Sequence, residues 1–350
     1  MQSLRVCGLM IQLKLLTVLL LSITASSLFS QQRPHYTQYI MNNYILNPAI
    51  SGIENYVDVK LSMRNQWVGI PGAPTTFYAT IHGPIGKSDF KTNATSFDMK
   101  GENPRGRQYW EAYTASPPHH GIGLTVLNYR TGYINRFTSY ATYAYHQGIS
   151  EKMTLAAGFG AGLSGTSINR SRIELANPID PAIGSASSVF RKISPELNAG
   201  LWLYGADFFA GLSAQQIIPV KTNLVDSSIY KSTLVPHIMA TAGYRLFVSE
   251  TITALPSFMI RYVPSMPLYA DINIKFQYID RLWLGASYRF KEGYAGMAGI
   301  NVSSSFNVSY SYDLNYSKYL IGTMHRGTHE IVLGFLLKNG YGDMCPRNVW

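Results

Sequence analysis

The sequence predicts an all-β chain: a single transmembrane antiparallel β-barrel of about fourteen strands, with a short N-terminal plug or periplasmic segment ahead of it. Three observations carry that expectation. Runs of about ten residues alternate apolar and polar side chains over most of the chain, the length a tilted strand needs to cross a bilayer core. Charged residues make up only 14% of the chain while tyrosine reaches 25 copies beside 15 Phe and 5 Trp, against roughly 25% charged residues in soluble domains. The first thirty residues also have the layout of an export signal.

Residues 1–30 place Arg5 and Lys14 near an apolar stretch, Leu15 to Leu21, and run into the small-residue segment ITASSLFSQQ at 23–32. That run is short and interrupted for a membrane span but suits cleavage, with the mature chain beginning near Gln31 or Gln32. Two of the 29 Lys and Arg residues fall there and none of the 19 acids. Cys7 falls there too, leaving Cys345 as the one mature thiol, so neither an intramolecular disulfide nor a thiolate metal cluster is available.

Residues 31–54 hold Gln38–Tyr39, Leu46–Asn47–Pro48–Ala49 and several further amides. They either lie in the periplasm or fold back into the barrel lumen as a plug, with Asn47–Pro48 starting a turn. Residues 55–338 carry the barrel. In its first strand Val57, Val59, Leu61 and Met63 alternate with Asp58, Lys60, Ser62 and Arg64; the GIPGAP turn at 69–74 follows, then Phe77, Ala79 and Ile81 against Thr76, Tyr78, Thr80 and His82. Val57, Leu61, Phe77 and Ile81 are expected to face lipid. Arg64 is expected in the lumen, paired with Asp58, Asp271 or Glu330 or touching a passenger or plug, and Trp67 in the interfacial aromatic girdle.

Strands are expected near 55–66, 74–82, 119–130, 132–148, 152–166, 194–204, 206–217, 233–248, 250–263, 267–279, 281–290, 293–302, 303–315 and 326–338. Tight turns at 130–133, 204–207, 279–281 and 291–293 should mark one rim, and long connections at 83–118, 167–193 and 218–232 the other. The tail, 339–350, holds Cys345, available to a partner contact or as a buried thiol, and ends at Trp350.

Catalytic and ligand chemistry finds little footing. His119 and His120 are neighbours on one strand and point to opposite faces, while His146, His237, His325 and His329 are scattered along the chain, so no metal is expected. GFGAGLSG at 158–165 lacks the Lys-Ser/Thr of a phosphate loop, and no acid–base pair or nucleophile elbow is visible. The chain is therefore not expected to be an enzyme or to carry a cofactor. Its basic residues (Lys87, Lys91, Arg105, Arg191 and others) are dispersed, which excludes a nucleic-acid patch and suits rims near lipid head groups.

The motifs Gln38–Tyr39, Leu46–Asn47–Pro48–Ala49, Arg64–x–Gln66–Trp67 and Gly72–Ala73–Pro74 occur in that order, and GTHEIVLGFLL at 327–337 precedes Cys345–Pro346 and Trp350. In this they resemble the PorP/SprF family, outer-membrane proteins of the type IX secretion system in Bacteroidetes. An acidic-Pro start common in that family is replaced here by Arg33–Pro34. The resemblance implies a non-enzymatic outer-membrane component. Its partners would be a large secreted passenger, such as a gliding adhesin, or periplasmic ring and motor parts, with outer-membrane lipid around it. The motif residues, Cys345, Pro346 and Trp350 among them, are then candidates for partner contact. The alternative is a transport channel for hydrophobic or small polar solutes, similar to fatty-acid porins.

Overall fold

The structure is a computed structural model that describes residues 36–87, 113–169, 189–223, 231–264, 266–279, 281–290, 292–303, 305–315 and 327–338. The expected export signal, His325, and the tail with Cys345, Pro346 and Trp350 lie outside the described residues.

Strands follow one another as β1 (Val57–Asn65), β2 (Thr75–Ile85), β3 (His119–Thr131), β4 (Ile134–Ser150), β5 (Met153–Asn169), β6 (Val189–Tyr204), β7 (Phe208–Gln215), β8 (Val220–Asn223), β9 (Lys231–Leu234), β10 (His237–Tyr244), β11 (Leu246–Phe247), β12 (Ile252–Tyr262), β13 (Tyr269–Tyr278), β14 (Leu282–Arg289), β15 (Gly293–Ser303), β16 (Phe306–Asn315) and β17 (Thr328–Leu337). All but β8 and β9 form one antiparallel sheet. It closes because β1 pairs with both β2 and β17, while β10 pairs with β7 on one side and β12 on the other. β11 continues β10 beyond Arg245 along the same partner, β12, so the described wall is crossed fourteen times. Closure leaves no unpaired edge, the one way a sheet can span lipid.

The alternation sorts side chains as period two requires. In β1, Asp58, Lys60, Ser62 and Arg64 are buried toward the inside, whereas Met63 is exposed and Val57 and Leu61 half-buried on the outer side. Phe77, Ile81, Ile122, Phe159, Ile272 and Leu284 are among the large apolar groups left exposed on that outer surface. An apolar belt outside and polar groups inside is the arrangement lipid imposes.

Two strand starts and the placement of the connections differ from expectation. β6 begins at Val189, not near 194, extending its pairing with β5. The long 218–232 connection contains a hairpin, β8 with β9, so residues 233–234 belong to it and the wall strand starts at His237. The long connections also do not share a rim. Counting antiparallel crossings from β1, the strand ends that bound the 83–118 connection lie at the rim where β1 starts and β17 ends, and those that bound the 167–193 and 218–232 connections lie at the opposite one. We call these the near rim and the far rim. The strand ends at the tight 130–133 and 291–293 turns lie at the far rim with those of the long loops, because they join β3 to β4 and β14 to β15.

Candidate functional site

Residues 36–53 form three short 3-10 turns, Thr37–Met41, Asn43–Ile45 and Pro48–Ile50, and every residue of the segment is buried. Its partners lie on β2, β4, β6, β7, β13, β16 and β17, all round the closed sheet, so the segment sits inside the barrel. Short 3-10 pieces suit a chain too crowded for a full helix, and their spare amide and carbonyl groups must be met by the wall.

At the far-rim end the segment is held by charge. The Thr37 amide donates to Glu330 Oε2 at 2.9 Å, and its hydroxyl donates to Asp313 Oδ2 at 2.6 Å. That hydroxyl accepts from Arg64 and, at 2.6 Å, from Arg289. Arg64 also reaches Asp313 Oδ2 at 2.7 Å and Glu330 Oε2 at 3.0 Å, and Arg289 reaches Asp313 at 3.0 Å. Two guanidinium groups thus balance two carboxylates, with one hydroxyl using its donor and both acceptor sites between them. The Gln38 side chain donates to the Glu330 carbonyl at 2.8 Å.

The middle is apolar and amide-bonded. Tyr39, Ile40, Met41, Ile45 and Leu46 pack with Tyr78, Met239, Met259 and Trp283 of the wall. The Tyr39 hydroxyl accepts from Asn273, and burial pushes its pKa up, which keeps it neutral. Gln215 donates to the Ile45 and Leu46 carbonyls at 2.8 and 3.0 Å.

At the near-rim end the third turn lies flat on β4, β5 and β6. Asn47 stays extended, as a residue before proline must, and its Oδ1 caps the Ala49 amide at 3.0 Å. Its Nδ2 donates to the Leu201 and Leu212 carbonyls at 2.9 and 3.3 Å. The approach is close enough to require glycine beneath it: a Cβ on Gly158 would fall 2.6 Å from the Ala49 Cα, and one on Gly121 or Gly200 would run into Ser51 or Asn47. Three histidines close this end. His119 and His146 stack with ring centroids 4.4 Å apart. His146 Nε2 lies 2.8 Å from the Ser51 carbonyl, His119 Nε2 lies 3.2 Å from that of Gly52, and the Gly52 amide donates to His82 Nδ1 at 3.3 Å.

The motif that opens the plug and the arginine of the first strand are therefore one structure. A family model described as type IX secretion system membrane protein PorP/SprF matches residues 28–335. The chain belongs to the PorP/SprF family. An apolar-belted β-barrel of this family is an outer-membrane protein with a secretion-related role. No curated protein matches the chain. Among solved structures, the toluene transporter TbuX of Ralstonia pickettii is similar at a TM-score of 0.46 and 9% identity, over 85% of this chain and 94% of that one. The outer membrane protein Omp33 of Acinetobacter baumannii is similar at 0.44 and 9%, over 82% and 100%. A FadL homologue of Pseudomonas aeruginosa is similar at 0.43 and 9%, over 87% and 94%.

In this PorP/SprF barrel the motif residues divide into two groups. Gln38, Tyr39, Asn47, Pro48 and Arg64 are enclosed in the lumen and join plug to wall. Gln66, Trp67, Gly72, Ala73 and Pro74 form the far-rim loop between β1 and β2. The Gln66 amide donates to the Pro74 carbonyl at 2.9 Å, the Trp67 amide to Thr328 Oγ1 at 3.3 Å, and the Gly132 amide to the Gly72 carbonyl at 2.8 Å. That loop thereby ties three strand ends together, with Gly72 at φ +73°.

Sequence reasoning named Glu330 for Arg64 but missed Asp313, and of its other candidates Asp58 pairs with Lys60. Asp313 continues the buried polar series Asn307, Ser309, Ser311 of β16, so parity marks it as a lumen group. His119 and His146, distant in sequence, meet because they are register partners of β3 and β4. Among the described residues no group of three or more His, Cys, Asp or Glu side chains is placed to hold a metal ion.

Proposed function

We propose that this barrel serves the type IX system by binding: it retains or guides a secreted passenger at the outer membrane, docks periplasmic ring components, or does both, without enzymatic chemistry. The observation that carries the reading is the occupied lumen. With residues 36–53 filling the barrel, a passenger has no path through the described wall, so contact falls to the two rims. On this reading the near rim, with its mostly short turns and both barrel termini, faces the periplasm, and the far rim, with Gln66, Trp67 and Gly72 to Pro74, faces outward. Residues 1–30 are proposed to be a removed export signal, and Cys345 with Pro346 and Trp350 to lie in a tail available to periplasmic partners.

Affinity purification of the tagged full-length protein from crosslinked native membranes tests this. One large passenger or ring proteins should co-purify, and mass spectrometry of the recovered chain should find it starting near Gln31. Recovery of neither class after crosslinking, from a barrel shown to be folded, would overturn the proposal.

A further inference from the structure

The wall that surrounds the plug is built as an aqueous lining. Among the described residues, seven cationic and five carboxylate side chains on or between the barrel strands are buried toward the lumen, beside many Ser, Thr and Asn groups. A wall of eight strands is filled by its own side chains, whereas sixteen or more leave a water channel. Fourteen crossings enclose a space that here is taken up by residues 36–53. Among the described residues, a cavity beside the plug lined by Asn43, Asp58 and His82 and another lined by Tyr39, Phe209 and Thr241 hold about 20 and 10 Å³, room for no more than about one water each. Each end of the plug is held by a different device: the charge cluster at Thr37 and the glycine floor with three histidines at Ala49 to Gly52.

From this we infer that the chain is a latent ion channel: residues 36–53 are a stopper, and the barrel without it conducts small ions with preference for anions. The preference follows from the excess of cations over carboxylates on the lining, since rings of charged side chains set the selectivity of a pore. This goes beyond the secretion role and is independent of it. It concerns what the membrane would leak if the plug left its seat.

The wall offers a way to evict the plug without cutting it. Valine suits a strand, but at Gly158 its Cβ would meet the Ala49 Cα at 2.6 Å, and at Gly121 it would overlap Ser51. Gly296 on β15 has nothing within 4 Å of such a Cβ and serves as the control. Purified wild type, Gly158→Val, Gly121→Val, Gly296→Val and a chain lacking 36–53 would be compared in planar lipid bilayers under a potassium chloride gradient. Wild type and Gly296→Val should be nearly silent. The two clash variants and the deletion should conduct at least about tenfold more, with a reversal potential on the chloride side. A clash variant or deletion that gives a folded, heat-modifiable barrel yet stays silent overturns the inference, and cation selectivity overturns its anionic half. If neither clash variant nor the deletion folds, the plug is a structural strut and the stopper reading also fails.

Discussion

Replacing Arg64 with glutamine should cost the barrel about 3–5 kcal/mol, the range seen when one partner of a buried ion pair is removed. Arg64 lies fully inside and donates to Asp313 at 2.7 Å, to Glu330 at 3.0 Å and to the Thr37 hydroxyl. At an effective dielectric near 20, unit charges about 4 Å apart attract by about 4 kcal/mol, and without Arg64 the Asp313 carboxylate keeps Arg289 while Glu330 loses the guanidinium it pairs with. A surface pair would lose no more than about 1 kcal/mol on the same change. The charge account makes a second demand. Glu330→Gln in the Arg64→Gln background restores the balance of one cation to one carboxylate, so the double variant should lose at least about 2 kcal/mol less than the two single losses combined. Urea unfolding of the protein folded in lipid vesicles, followed by tryptophan fluorescence and heat-modified gel migration, measures all four proteins. A single loss under about 1 kcal/mol, or simple additivity, would refute the reasoning that these charges act as one buried unit.

Asn47→Ala removes one capping bond and two wall bonds, so the plug should become sensitive to limited proteolysis and stability should fall by about 1–3 kcal/mol; unchanged protease resistance would contradict the role given to that side chain. Trp202 is fully buried and stacks on Phe209 at 5.0 Å, so Trp202→Ala should cost about 3–5 kcal/mol in the same unfolding measurement. Phe159, exposed at mid-strand on the outer face, should lose about 2–4 kcal/mol as Phe159→Arg in vesicle-folding equilibria, and indifference there would argue against a lipid-facing belt. The buried Tyr39 hydroxyl ionises less readily than in the unfolded chain, so its contribution is complete below the free tyrosine pKa near 10 and is lost as pH rises above it. Protease resistance of the plug should therefore drop more between pH 9 and 11 in the wild type than in Tyr39→Phe.

How much of this was legible in the sequence depended on the kind of signal. Strand positions and the inward aim of Arg64 follow from period-two alternation, which is local and strong in β1, β13 and β16. The partners of Arg64 were only partly legible, because which lumen carboxylate it meets is set by the β1–β17 and β16–β17 registers rather than by spacing. The His119–His146 stack is invisible for the same reason. The rim of each long connection follows from counting crossings, and the expectation that 83–118 joined the other long loops overlooked that parity. The hairpin of β8 and β9 is too short to stand out by alternation. The glycine floor left no readable mark, since glycine in a barrel strand serves curvature as often as close approach, and only the position of Ala49 and Ser51 over Gly158 and Gly121 tells the two apart.

The central claim, that this PorP/SprF barrel supports type IX export by binding a partner, is tested most directly by quantitative proteomics. The proteins secreted and displayed by a strain lacking the gene would be compared with those of the same strain complemented with the full chain. The account predicts that at least one type IX passenger disappears from the surface or medium in the deletion strain and returns on complementation. Unchanged secretion and display of every type IX passenger would contradict it.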